Sequence, residues 1–212
     1  MTLLTSLRRL LAVTTLGLGL VHGAQAATAA APDQLIRELS VEVLNTVKSD
    51  KDIQAGNIAK IIALVDAKVM PHINFQRMTA SAVGRFWRQA TPEQQQKLQA
   101  EFKTLLVRTY AGALTQVKDQ TIGLRPLRAQ PTDTEVVVRT EIRGKGDPIQ
   151  LDYRLEKAGE AWKIYDVNVL GIWLADQYRN SFAQEIGANG IDGLIKSLAD
   201  KNAKAGAPAA KG

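Results

Sequence analysis

The sequence predicts an α+β domain, with helices first, then an antiparallel meander of four strands, then two more helices. Two observations carry this. From residue 32 to 118 the apolar residues recur at helical spacing, and after Asp119 they alternate until Val169. Helical spacing then returns from Ile172 to about residue 200. Helices and strands are thus segregated along the chain rather than interleaved, which argues against a doubly wound sheet.

The first helix is expected from Pro32 and Asp33, with Ile36, Leu39, Val43 and Val47 on one face, and it ends at Lys48-Ser49-Asp50. A second helical stretch carries Ile58, Ile61, Ile62, Val65 and Val69 and stops at Pro71. A third opens at Asn74 and carries Phe75, Met78, Ala82, Val83, Phe86 and Trp87. Thr91-Pro92-Glu93-Gln94 is a helix-start signal: a capping threonine, proline at the first helical position, and glutamine to close a capping box. The long helix it opens bears the stripe Leu98, Phe102, Leu105, Leu106, Tyr110, Leu114 and Val117. Gly112 within it marks either a close packing partner or a tolerated weak spot.

Thr121 to Arg125 reads as a short edge strand because Pro126 follows. The alternating runs Glu135 to Arg143, Ile149 to Leu155 and Trp162 to Val169 complete the meander, separated by Gly144–Pro148 and by Ala158-Gly159-Glu160. A fifth helix is expected from Ile172 to Ile186, closed by Gly187. A sixth carries Ile191, Leu194, Ile195 and Leu198. The segment 201–212 is Ala, Lys and Gly with nothing to bury, and is expected to be a disordered tail.

The amino terminus has the layout of an export signal. Arg8 and Arg9 precede the apolar run Leu10–Val21, and Ala24-Gln25-Ala26 fits a small-x-small cleavage site. Residues 1–26 are read as a signal peptide, with a single uncleaved anchor as the alternative. Residues 27–200 then form one domain: helical over 32–118, sheet over 121–169, and C-terminal helices over 172–200. Without Arg8 and Arg9 there remain 25 basic against 21 acidic residues, a mild excess. Aromatics are 5% of the chain and do not interleave with basic clusters, which argues against a nucleic-acid platform. Cysteine is absent, so an exported chain of this kind must be held by its core.

The sequence offers little chemistry. Beyond the leader there is one histidine, His72, and with no cysteine this gives no expected metal site. No nucleophile elbow or phosphate-cradling loop occurs. A cupped sheet bringing Asp152 and Asp166 towards Tyr110 and Tyr153 could support proton abstraction, but Asp152 lies on the opposite strand face from Tyr153. No catalytic residue is assigned. What remains is an abundance of apolar stripes against a small sheet, and a helix that opens Ile172-Trp173-Leu174. Those residues fill an ordinary core or line a dry cavity, and periodicity does not separate the two.

The stretch WKIYDVNVLGIWLADQYRNSF (162–182) resembles the signature of the MlaC, or toluene-tolerance, family of periplasmic phospholipid-binding proteins. It matches at Trp162, Ile164, Asp166, Val167, Gly171, Tyr178, Arg179 and Phe182. FQRMTASAVGRFWRQATPEQQQKLQAEFKTLLVRTYAGAL (75–114) and GIDGLIKSLADK (190–201) are similar to the family in the same order. Asn74 departs where many members carry aspartate, and Trp173 adds bulk. The resemblance implies a non-catalytic carrier without a cofactor, phospholipid being its cargo. Its fold would be a curved four-stranded sheet wrapped by about six helices, similar to nuclear transport factors with extra helices and an internal apolar cavity. Its partners would be an inner-membrane ABC transporter with a lipid-binding ring protein and an outer-membrane lipoprotein–porin complex. The expected lining, from face assignment and resemblance together, is Phe75, Val83, Phe86, Phe102, Leu106, Tyr110, Val138, Tyr153, Ile164, Val169, Ile172 and Trp173. Arg108, Tyr178 and Arg179 are expected near the mouth, facing a phosphate or the protein's own carboxylates. On this reading Ile172→Asp strands a charge in the cavity.

Overall fold

Each helix start carries the chemistry that its free N–H groups require. In the computed structural model, which describes residues 31–206, α1 (Pro32–Ser49) begins with proline at its first position and Asp33 in its first turn. Asp50 caps α2 (Lys51–Gln54), and Asn57 caps α3 (Ile58–Leu64). The chain then widens into a π-helical turn, Val65–Val69, and tightens into a 3-10 turn, Met70–His72, at Pro71. Asn74 caps α4 (Phe75–Val83), which continues as the 3-10 turn Gly84–Gln89. The Thr91/Gln94 capping box opens α5 (Pro92–Leu114) with both reciprocal bonds formed. Gly112 is a weak spot rather than a close contact, since nothing lies within 4 Å of where its Cβ would be. The signal peptide expected over 1–26 lies outside the described residues.

The sheet is a meander in sequence order, β1 (Thr121–Leu124), β2 (Glu135–Arg143), β3 (Ile149–Ala158), β4 (Ala161–Val169) and β5 (Ile172–Trp173), every pair antiparallel. It has five strands, not four. Ile172 and Trp173 do not open a helix: they fold back on β4, with Val169 facing Ile172 and Asn168 facing Trp173. Leu170 (φ 52°) and Gly171 (φ 91°) make the turn, and positive φ at both positions is what a two-residue hairpin of this hand demands. α6 (Leu174–Gly206) follows, broken at Gly190 (φ 72°, ψ −178°) rather than at Gly187. Its second half runs past residue 200. Asn202 is buried, and its amide donates to the Glu101 carbonyl at 3.0 Å.

Three apolar clusters result. α4, the N-terminal half of α5 and both halves of α6 close around Phe102. α3, the end of α1 and the C-terminal half of α5 close around Ile61 and Val107. The start of α1 covers the sheet at Val138, Leu155 and Ile164. Partly buried residues such as Val43, Ile73 and Val167 bridge them.

Candidate functional site

Between α1, α3 with its π turn, the C-terminal half of α5 and one face of the sheet lies a cavity of about 420 Å³. Such a volume suits a small ligand, whose pockets span about 300–1,000 Å³. Its walls are Leu39, Val43 and Leu44 from α1, Ile61, Val65 and Val69 from α3 and the π turn, and Leu106, Tyr110, Ala111 and Leu114 from α5. From the sheet come Ile142, Ile149, Leu151, Tyr153, Ile164, Val167 and Val169. Ile149, an exposed large apolar residue, marks the rim.

The wall follows from strand alternation. Leu151 and Tyr153 on β3 and Val167 and Val169 on β4 are paired residue to residue, so they stand on one face. Ile164 joins them because the register shifts at Arg154/Leu155. The opposite face is polar. There Asp152, Asp166 and Asn168 are buried and Arg154 lies 3.8 Å over the Trp173 ring. Tyr110 and Tyr153 therefore look into the cavity while Asp152 and Asp166 do not line it. The carboxylate–tyrosine constellation considered from the sequence is not assembled.

Of the lining residues expected from sequence, Leu106, Tyr110, Tyr153, Ile164 and Val169 do line this cavity. Phe75, Val83, Phe86 and Phe102 pack instead into the cluster against α6, because the first half of α5 packs on α4 and α6 and only its second half borders the cavity. Val138 is 1% exposed in the cluster under α1. Ile172 is 54% exposed: paired with Val169 at the sheet edge, it stands outside the walls of the cavity, and Trp173 lies against Arg154 on the polar side. None of the three mouth candidates borders the cavity. Tyr178 meets the Phe102 ring edge-on at 5.1 Å. Arg179 donates to the Ser81 carbonyl at 3.1 Å and pairs with Asp176. Arg108 lies half-buried on α5 with its Nε and Nη1 enclosed. Missed were the walls from α1 and the π turn. Their stripes were readable, but nothing in a stripe says whether it meets protein or space.

The signature stretch is mostly a fastening. Asp166 Oδ1 accepts from the Ala175 N–H at 3.1 Å and the Val167 N–H at 3.0 Å, capping the start of α6, while Oδ2 accepts from Arg154 at 3.0 Å. Asn168 Oδ1 accepts from the Gly171 N–H and closes the hairpin. Asn74, where an aspartate was expected, caps α4 through Oδ1 and donates its amide to Glu156 Oε1 at 2.6 Å. A carboxylate there would face Glu156 with like charge, so the amide suits this neighbour.

Burial holds the Asp166 carboxyl above the ordinary aspartate value, opposed by its two backbone bonds and by Arg154. A raised native pKa means that the folded chain binds this proton more tightly than the unfolded one. The resulting stability is present in full below about pH 3.9 and is lost as pH rises through the native value. Asp166→Asn keeps the caps and removes this titration. Its urea midpoint relative to the parent is therefore expected to rise between pH 3.5 and 6. Asp166→Ala loses the caps and is expected to cost about 1–2 kcal/mol at any pH in that range.

Among the described residues no helix is long and apolar enough to cross a membrane, and no group of three metal-binding side chains occurs. Residues 37–200 match the family described as MlaC protein. The chain is 28% identical over 177 residues to toluene tolerance protein ttg2D of Pseudomonas putida, covering 82% of each. It is 27% identical over 177 residues to the intermembrane phospholipid transport system binding protein MlaC of Haemophilus influenzae, covering 77% of this chain and 82% of that one. Its fold matches the phospholipid-binding protein of Ralstonia solanacearum, solved in complex with a phospholipid, with a TM-score of 0.81 and 46% identity. That match covers 84% of this chain and all of that one. The chain belongs to the MlaC protein family.

Proposed function

We propose that this protein is a soluble periplasmic carrier that holds the acyl chains of a glycerophospholipid in the apolar cavity and shuttles the lipid between outer and inner membranes. The observation that carries this is a nearly wholly hydrocarbon wall that the chain leaves unfilled by its own side chains. Two acyl chains hold on the order of 30 methylenes, and at about 0.8 kcal/mol each their exposure to water costs about 25 kcal/mol. Free lipid therefore does not cross an aqueous compartment at a useful rate. A carrier must offer an environment close to the bilayer's own, or transfer stalls at one end. The phospholipid in the Ralstonia relative and the transport system named for the Haemophilus one support this reading.

In this scheme its two partners are an outer-membrane lipoprotein–porin complex and an inner-membrane ABC transporter with a lipid-binding ring protein. The exchange maintains the lipid asymmetry of the outer membrane. The chain acts as no enzyme and uses no cofactor, phospholipid being its cargo. Without the expected signal peptide, its 25 basic against 21 acidic residues favour encounter with anionic surfaces, an attraction that salt weakens.

Native mass spectrometry of protein prepared gently from its own cells is expected to show an added mass of phospholipid size, released on lipid extraction. Uniformly empty protein would overturn the carrier reading.

A further inference from the structure

The cavity wall carries one polar notch. Ser40 of α1 and Tyr153 of β3 both line the cavity, and the Ser40 and Thr140 hydroxyls lie close to that of Tyr153. Thr140 is fully buried on β2, one diagonal step from Tyr153 on the same face. Its Oγ1 donates to the Leu151 carbonyl at 2.7 Å. The three hydroxyls therefore form a small polar cluster, fixed at its inner end by a backbone carbonyl. Other helix hydroxyls are consumed locally: Thr46 of α1 itself, Thr79, Thr104 and Thr109 each donate to the carbonyl four residues back. The Ser40 hydroxyl makes no such bond and stands in the cavity wall. The remaining hydroxyl of the lining, that of Tyr110, meets Gln177 Oε1 at 3.4 Å on α6.

Thr140 spends its hydrogen on Leu151 O. The hydrogens of Ser40 and Tyr153 are given to no carbonyl or carboxylate, so the pair can turn one of them to a cavity ligand. A hydroxyl beside packed hydrocarbon is costly unless it is bonded. The polar atoms of a diacyl lipid that follow its chains furthest from the headgroup are the ester carbonyls, which only accept. Along β3 the notch lies two same-face positions in from Ile149 at the rim, behind the place where a headgroup meets solvent.

Resting on the carrier reading, we propose that Ser40 and Tyr153 form an ester-carbonyl subsite that makes this protein prefer ester-linked over ether-linked phospholipid. The two lipid types share headgroup and chains and differ only in the carbonyl, so apolar burial alone does not separate them. A neutral hydrogen bond corresponds to a preference of about two- to tenfold.

The test loads delipidated protein from vesicles holding equal amounts of a diester and a diether phosphatidylethanolamine of matched chain length, and reads the bound ratio by native mass spectrometry. The parent is expected to favour the diester two- to tenfold. Ser40→Ala and Tyr153→Phe are each expected to bring the ratio to one while still binding lipid. A merely structural tie between α1 and the sheet would lower thermal stability in these variants without moving the ratio, and that result would overturn the proposal. So would a parent ratio of one, which leaves the carrier reading intact. Failure of the parent to load either lipid would overturn both.

Discussion

Leu151→Asp is expected to abolish phospholipid retention at pH 7 while leaving the fold in place, and Ile172→Asp is expected to leave retention unchanged. Leu151 stands mid-strand on the cavity face of β3, paired with Val169. Bound acyl chains would take the water from an aspartate there, and the group would have to become neutral. Moving a carboxyl from its ordinary pKa near 3.9 to above 7 costs about 4 kcal/mol, roughly a thousandfold in affinity. Without lipid the same carboxylate faces a space that water can enter, so folding is penalised far less than binding. Protonation supplies the control. Near pH 4 the neutral form is already populated, and retention is expected to return towards the parent level. Native mass spectrometry at the two pH values, with circular dichroism to verify folding, reads both effects. Lipid retained by Leu151→Asp at neutral pH would mean that the acyl chains do not occupy this cavity.

The Ile172 comparison reverses an expectation drawn from sequence, and the reason is physical. Ile-Trp-Leu looked like the apolar opening of a helix because helical spacing resumes near it. The two-residue strand β5 is too short to show alternation, so no period marks it. What marks it is Gly171 together with the two side-chain acceptors Asp166 and Asn168, which hold the hairpin and the helix start. Of these, Gly171 and Asp166 belong to the family signature, but a signature does not say whether it binds or fastens.

The order of elements was legible because it rests on local period: six helices, the meander and the capping box at Thr91 all follow from it. The placement of the site was legible only in part. Tyr153 could be found because strand alternation fixes a face, whereas Ile164 and Val169 share a face only through the register shift at Arg154/Leu155. Ser40, Val43 and Leu44 could not, because an amphipathic helix presents the same stripe to a filled core and to a hollow. The π turn at Val65–Val69, which widens the helix where it borders the cavity, leaves no periodic trace over five residues.

Phe102→Ala separates the two halves of α5 most sharply. Phe102 is fully buried, with the rings of Phe75, Tyr178 and Phe182 at 5.9, 5.1 and 5.3 Å, two of them edge-on. Truncation leaves a void enclosed by helices on every side, and such changes cost about 3–5 kcal/mol. For a chain of this size that lowers the melting temperature by roughly 6–20 °C. Leu106, one turn further on, is on the same stripe but borders existing space. Leu106→Ala widens a cavity instead of creating one, so its cost is expected at the low end, about 2 kcal/mol or less, with a measurable change in lipid loading. Phe102→Ala is expected to do the converse: a large loss in thermal and urea stability, with the diester lipid still bound below the melting transition. If Phe102→Ala released lipid as readily as Leu106→Ala and melted like the parent, the stripe would face one continuous hollow along its whole length, as the sequence alone suggested.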